Sequence, residues 1–299
     1  MNLILVLLAG WLPLVAAAQG GLETTGTAGP FPVELRLALP NPARDGAADL
    51  EAARAMLERH WAQLGRTVEG SEIAQVNALA GQRSGRMGRL TYDAVLRGLQ
   101  WKDRAEGAVD LLAGPLRRWL AADGALPAPD SVLALVRDGG AYFVDLGVLL
   151  RTPGMELDLD PLADGLLADR ALDTLRARGH KGVSVRVGGA WRTGSQDSLR
   201  VAATAPFPES ALRGRALALA TSESVAVDPR SGARPPAGRR VRVLAPTAEE
   251  ARVWADALAL RGREGLAALA GRPGVDAEIV DGEGRQATPG FDAGEPLRP

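Results

Sequence analysis

Residues 155–189 read MELDLDPLADGLLADRALDTLRARGHKGVSVRVGG and form the most regular stretch of the chain. Apolar and acidic residues alternate over Met155–Asp160, which predicts a strand. Leucines at helical spacing predict a helix over Ala163–Arg178, with Gly179 as its stop. Alternation returns in Gly182–Val187, which predicts a second strand. A strand, a helix and a strand in this order indicate a sheet covered by helices.

The sequence on either side of this block continues to mix strand and helix patterns. Acidic residues near the start and apolar residues at helical spacing predict a long amphipathic helix over Ala47–Leu64. Together with the central block, the patterns predict an α+β fold with mixed sheets and packed helices. The other predicted elements are strands over Phe31–Leu39, Tyr142–Leu150, Val201–Thr204, Ala216–Val227, Arg240–Leu244 and Ala277–Val280, and helices over Thr91–Glu106, Ser131–Arg137, Ala248–Leu260 and Glu264–Leu269.

The two ends of the chain differ from its middle. Leu3–Ala18 is a short apolar run that ends in three alanines before Gln19, which is typical of a secretory signal peptide and its cleavage site. The run is too short for a membrane span. We therefore expect residues 1–18 to be a signal peptide, residues 19–285 one domain and residues 286–299 a flexible tail, in a periplasmic or secreted protein with no stable membrane span after cleavage.

Composition excludes several kinds of site. The chain contains no cysteine and has a formal net charge of −1, with both signs spread along its length. Disulfides and thiolate sites are therefore excluded, and no nucleic-acid partner is expected. The two histidines, His60 and His180, are expected to have packing roles, and a zinc site is not expected. The expected partner is a small molecule or another protein.

A series of short motifs follows one another in a fixed order. In that order and at that spacing, the series resembles the ApbE-like FAD:protein FMN transferases over nearly the whole mature chain. The motifs are Ser71-Glu72-Ile73 with Asn77, Gly107-Ala108-Val109-Asp110, Gly114-Pro115-Leu116 with Trp119, Asp158-Leu159 before Ala163-x-Gly165, Gly188-Gly189, Thr221-Ser222, Asp228-Pro229-Arg230-Ser231-Gly232, and Ala255-Asp256-Ala257-Leu258-Ala259.

The resemblance implies a fold, a reaction and a set of site residues. The implied architecture is that of the transferase family, which is similar to the T-fold. The implied reaction is Mg²⁺-dependent transfer of FMN from FAD to a Thr or Ser of an acceptor protein, with FAD as substrate. The implied metal ligand is Asp256. The implied flavin-contacting residues are Gly107, Ala108, Asp110, Asp158, Asp164, Gly165, Gly188 and Gly189.

The chain departs from the family at positions that contact the ligands. The family's Gly-Gly and phosphate-facing Lys correspond here to Asp160-Pro161 and Asp164, and the Thr that would share the metal with Asp256 is Leu260. A carboxylate at 164 would repel the pyrophosphate. We therefore expect Asp164→Lys to tighten FAD binding by at least about tenfold if the cleft is otherwise competent.

These departures leave two functions open. One is a working transferase with a relaxed site, and the other is a catalytically degenerate flavin-binding or scaffold protein of the same fold. Two candidate residues keep structural alternatives as well, because Asp110 could cap a turn and Asp256 could be a solvated helix residue.

Overall fold

The computed structural model describes residues 16–18, 21–122, 124–194, 198–202, 204–208, 210–225 and 227–292. The helices are α1 (Gly46–Leu64), α2 (Glu72–Ala78), α3 (Arg89–Arg104), α4 (Gly114–Ala121), α5 (Asp130–Arg137), α6 (Asp160–Ala177), α7 (Ala248–Arg261) and α8 (Pro289–Asp292). Two 3₁₀ helices cover Leu111–Ala113 and Gly262–Leu269. The strands are β1 (Ala16–Ala18), β2 (Gly21–Ala28), β3 (Phe31–Leu39), β4 (Gly85–Arg86), β5 (Ala141–Val144), β6 (Gly147–Leu150), β7 (Lys181–Val187), β8 (Ala190–Thr193), β9 (Ser198–Val201), β10 (Ser210–Arg213), β11 (Ala216–Thr221), β12 (Arg240–Ala245), β13 (Asp276–Asp281) and β14 (Gly284–Ala287).

The main lobe is a nine-stranded sheet with the order β1-β2-β3-β7-β8-β11-β12-β13-β14. Helix α1 packs on β2, α6 on β7, and α7 on β11 and β12, with α6 between the other two helices. Alternate residues of β3, namely Val33, Leu35 and Leu37, are buried beneath these helices. The arrangement confirms the α+β class, and it brings α6 and α7 side by side.

A smaller lobe is inserted between β3 and β7. It consists of α2 to α5 and of a three-stranded sheet with the order β4-β6-β5, whereas α1 packs on the main sheet. The Ser71 side chain caps α2 by accepting a hydrogen bond from the backbone N–H of Ala74 (2.9 Å), as expected for a helix N-cap. The end of α3 and the 3₁₀ helix Leu111–Ala113 border the main lobe. The candidate residues Gly107, Ala108 and Asp110, which lie between these two elements, are therefore placed where the lobes meet.

The predicted strand over Met155–Asp160 is wrong. Residues 155–159 form neither a strand nor a helix, and Leu159 already has helical backbone angles as the N-cap of α6. Asn77 satisfies Leu157 on both sides, since its Oδ1 accepts from Leu157 N (2.7 Å) and its Nδ2 donates to Leu157 O (2.9 Å). The N–H of Asp158 donates to the carbonyl of Leu111 (2.8 Å). Backbone groups that are paired in this way need no neighbouring strand.

Because residues 155–159 do not form a strand, the parallel strand pair expected on either side of α6 is also absent from the described residues. Helix α6 connects a coil to β7 and does not join two parallel strands. Every described strand pairing is antiparallel, so the sheets are not mixed as the sequence analysis expected.

Helix α6 confirms the central helix, although it begins three residues earlier, at Asp160. Pro161 lies in its first turn, where proline is tolerated because no intrahelical partner for its N–H is needed. The leucines whose spacing predicted this helix, Leu166, Leu167, Leu172 and Leu175, are all buried.

Regular structure is also present in the described parts of the two terminal segments, residues 16–18 and residues 286–292. Near the start of the chain, β2 pairs with β3 and also with the short edge strand β1, which lies within the predicted signal peptide. Regular structure continues past residue 285, through β14 and α8 to Asp292. Residues 1–15 of the predicted signal peptide and residues 293–299 of the predicted tail lie outside the described residues. Within the described part of the chain, no helix has the length and apolar character needed to cross a membrane.

The two histidines have different surroundings. His180 is buried, and its Nδ1 accepts the N–H of Asn41 (3.0 Å) while its Nε2 lies 2.9 Å from Asp49 Oδ2. It thereby joins the start of α1 to the end of α6. His60 lies on α1, where burial lowers its pKa.

Gly165 permits the close approach of α6 and α7. A Cβ at this position would lie 2.4 Å from Ala248 O and 2.8 Å from Glu249 Cα, and backbone atoms cannot move aside as a flexible side chain can. We expect Gly165→Ala to lower the free energy of unfolding by about 1 to 3 kcal/mol because of this overlap. The overlap outweighs the helix propensity of alanine, which is more favourable than that of glycine by about 1 kcal/mol. Urea unfolding measures the change.

Gly282→Ala is the matched control, because a Cβ there meets no atom within 4 Å. It should leave the free energy of unfolding within about 0.5 kcal/mol of the original value. If the Gly165→Ala and Gly282→Ala variants were equally stable, α6 and α7 could move apart without a loss in the free energy of unfolding.

Candidate functional site

A narrow cleft lies between the two lobes, at the start of α6. Its cavity volume is about 20 Å³, which is room for one water molecule, whereas cofactor pockets commonly enclose about 300 to 1,000 Å³. Four of the sequence-predicted or substituted positions, Ala108, Asp110, Pro161 and Asp256, contribute to its wall. The full lining is Ala108, Val109, Asp110, Ala113, Arg117, Pro161, Val225, Val227, Pro229 and Asp256.

Gly107–Asp110 turns the chain from α3 into the cleft. Gly107 has φ = 75°, a conformation that favours glycine, and its N–H donates to the carbonyl of Lys102 (2.8 Å). Asp110 Oδ1 accepts from the N–H of Leu112 (2.9 Å) and caps the 3₁₀ helix, while its Oδ2 lies 2.7 Å from Lys102 Nζ. Asp110 therefore lines the cleft and also has the capping role that the sequence left open.

Asp158 lies behind the cleft wall. It is fully buried, and its Oδ2 lies 2.8 Å from Arg117 Nε and 3.6 Å from Arg66 Nε. Its Oδ1 accepts from the N–H of Asp160 (3.0 Å) at the start of α6. The carboxylate thus holds the first turn of α6, and Arg117 is the group that reaches the cleft.

Asp164 joins α6 to the turn between β7 and β8. It is buried, its Oδ1 accepts from Gly165 N (2.8 Å), and its Oδ2 accepts from Gly189 N (3.1 Å). A Cβ on Gly188 would lie 3.0 Å from Asp164 Oδ2, and one on Gly189 would lie 3.1 Å from Arg252 Nη1. Gly188 and Gly189 therefore bring the turn against Asp164, as a pair of residues without side chains can.

Arg252 connects Asp164 with Asp256. Its Nη2 lies 3.0 Å from Asp256 Oδ1, its Nε lies 3.6 Å from Asp164 Oδ1, and its Nη1 donates to the carbonyl of Leu219 (3.1 Å). Both carboxylates are buried, so Asp256 is not the solvated helix residue that the sequence left open. Arg252 was not predicted from the sequence, although its i,i+4 spacing to Asp256 is a signal for an ion pair on one helix face.

Each of the four acidic candidates has a basic partner. The pairs are Asp110 with Lys102, Asp158 with Arg117, Asp164 with Arg252, and Asp256 with Arg252. None of these basic residues was among the site residues predicted from the sequence. All four acids lie at or directly behind the cleft, and three basic side chains partner them, because Asp164 and Asp256 share Arg252.

These residues do not fit a magnesium ion. Mg²⁺ prefers several oxygen ligands in octahedral geometry. Asp256 faces a guanidinium, and Leu260, one turn further along α7, offers no oxygen. Among the residues that the structure describes, no group of three or more His, Cys, Asp or Glu side chains could hold a metal ion.

The buried carboxyl of Asp256 should make stability depend on pH. Burial raises its pKa to about 6, Arg252 lowers it and Asp164 raises it. A folded-state pKa above the unfolded value of 3.8 means that the protonated form favours folding. The contribution of Asp256 is complete below pH 3.8 and is lost as the pH rises through about 6.

We therefore expect the free energy of unfolding to fall more steeply from pH 5 to pH 7 in the unmodified protein than in Asp256→Asn. Urea unfolding at pH 5, 6 and 7 measures both slopes. Asp160, whose pKa burial and then Asp158 raise to about 6, is present in both proteins and cancels in the comparison. Parallel slopes would show that Asp256 does not titrate in this range.

Comparison with known structures finds the same fold in several proteins. The chain is similar to the flavin transferase ApbE from Vibrio cholerae (19% identity, TM-score 0.79, covering 92% of this chain and 99% of that chain). It is also similar to the ApbE protein from Thermotoga maritima (17%, 0.77, 92% and 99%) and to the apo form of the flavinyl transferase ApbE from Pseudomonas stutzeri (20%, 0.78, 94% and 97%). At these identities the likeness establishes the fold.

Sequence comparison identifies the family. A search of curated proteins found no significant match. The profile of the ApbE family, in contrast, matches residues 31–279, which include every candidate site residue. The chain therefore belongs to the ApbE family.

Proposed function

We propose that this protein is a catalytically degenerate member of the ApbE family, a scaffold with the fold of flavin transferases that lacks Mg²⁺-dependent transfer of FMN. The pairing of every candidate acid with an arginine or lysine carries the proposal. A carboxylate that already neutralises a buried cation is a poor metal ligand, because binding the metal would leave that cation unpaired. The small volume of the cleft favours a scaffold over a flavin-binding protein.

The test is an assay for AMP. Transfer of FMN breaks the pyrophosphate of FAD, joins the FMN phosphate to a hydroxyl oxygen of the acceptor, and releases AMP. We expect the purified protein, with FAD, Mg²⁺ and a threonine-containing acceptor peptide, to release no more AMP than a sample without protein. The flavin transferase of Vibrio cholerae is the positive control, and mass spectrometry of the peptide gives a second readout.

A working transferase is the second candidate. One observation favours it, because Asp110, Asp256 and Arg117 still line one cleft. AMP release together with a gain in acceptor mass equal to FMN would establish this function and overturn the first. Asp110→Asn is the matched variant, since a loss of activity on this change would assign the activity to this cleft.

We also propose that the protein is exported after cleavage near Ala18. Cleavage there would remove β1, an edge strand of three residues, and would leave the other strands of the main sheet paired. N-terminal sequencing of protein from the periplasm or medium tests this proposal. Mature protein that begins at Met1 would contradict it.

A further inference from the structure

Two buried carboxylates from different helices share one guanidinium. Asp164 comes from α6, and Asp256 comes from α7. Their side chains are only 4% and 7% exposed, and Arg252, which lies between them, is 14% exposed. Like charges in a poorly solvated place repel each other strongly, so this arrangement requires a cation.

Arg252 is well suited to be that cation. A guanidinium keeps its charge at all physiological pH values and offers several fixed N–H donors. One of these donors is already bound to the carbonyl of Leu219 on β11, which fixes the side chain from the sheet. The turn at Gly188-Gly189 packs against the same group, since a Cβ on Gly189 would lie 3.1 Å from Arg252 Nη1.

We infer that Arg252 is a built-in replacement for a divalent cation, and that it makes the folded state of this protein independent of metal. The inference deepens the proposed function, because it concerns the same site. Unlike the proposed function alone, it predicts how the protein responds to divalent cations when Arg252 is replaced. Removing the guanidinium should leave two facing carboxylates that a divalent cation can neutralise.

Thermal unfolding of Arg252→Met tests this consequence, because methionine keeps an unbranched side chain and removes the charge. We expect its Tm to fall by several degrees in EDTA, and 5 mM MnCl₂ to recover a large part of the loss. The double variant Arg252→Met/Asp256→Asn has one buried charge fewer. It should be more stable than the single variant in EDTA and should not respond to Mn²⁺.

The unmodified protein provides a measurement that does not depend on the folding of the variants. Its Tm should be equal in EDTA, MgCl₂ and MnCl₂. A saturable rise of more than about 2 °C that Asp256→Asn abolishes would show that metal binds despite Arg252, and would overturn the inference.

The variants provide two further results that would overturn it. One is an unchanged Tm in Arg252→Met, and the other is a Tm loss that neither Mn²⁺ nor Asp256→Asn relieves. AMP release by the unmodified protein would instead overturn the proposed function and leave these metal results standing.

Discussion

Asp164→Lys is expected to destabilise the protein by about 3 to 5 kcal/mol, the range for breaking a buried charge pair. The substitution places an ammonium group beside Arg252, whose Nε now lies 3.6 Å from Asp164 Oδ1. It also removes the acceptor for the N–H groups of Gly165 and Gly189. Comparison with the family suggests instead that this lysine would attract FAD. In the structure, the same change would replace two carboxylates that share one guanidinium with two cations beside a single carboxylate, Asp256.

Urea unfolding and FAD titration of the same Asp164→Lys sample distinguish the two expectations. Asp164→Asn is the control, because it keeps the shape and one hydrogen-bond acceptor but removes the charge. It should lose less stability than the lysine variant. A lysine variant that is as stable as the original and binds FAD at least about tenfold more tightly would support the expectation from sequence.

The contrast between these expectations shows what a comparison of single positions leaves out. When each position is compared separately with the family, Asp164 replaces a lysine and so removes a cation, whereas Asp256 keeps a metal-binding carboxylate. The i,i+4 spacing of Arg252 and Asp256 was readable from the sequence. The approach of Asp164 to Arg252 could not be predicted from the sequence, because it depends on how closely α6 and α7 pack at Gly165.

The sequence predicted the fold best where the spacing of apolar residues matches the face that is buried in the core. Helix α6 and strand β7 could be predicted because their apolar residues repeat with the helical or strand period and face the core. Residues 155–159 show the strand period for another reason. Met155, Leu157 and Leu159 are buried in the core, while the acids between them pair with arginines. A strand also needs a partner strand, and here Asn77 takes the backbone hydrogen bonds.

Trp254→Ala is expected to cost about 3 to 5 kcal/mol, the range for removing a large buried aromatic side chain. Trp254 is fully buried on α7 and meets Trp101 of α3 edge to face, with ring centroids 6.4 Å apart and an interplanar angle of 86°. The guanidinium of Arg272 lies 4.5 Å from its ring centroid. The contact therefore joins the two lobes, so a cavity here weakens both.

Urea unfolding of Trp254→Ala and Trp254→Phe measures this effect. Phenylalanine keeps an aromatic ring against Trp101 and should lose clearly less stability than alanine. Trp254 lies two residues before Asp256, on the opposite side of α7 at about 100° per residue, so the cavity does not open into the cleft. A loss below about 1 kcal/mol would mean that the two lobes are held together elsewhere.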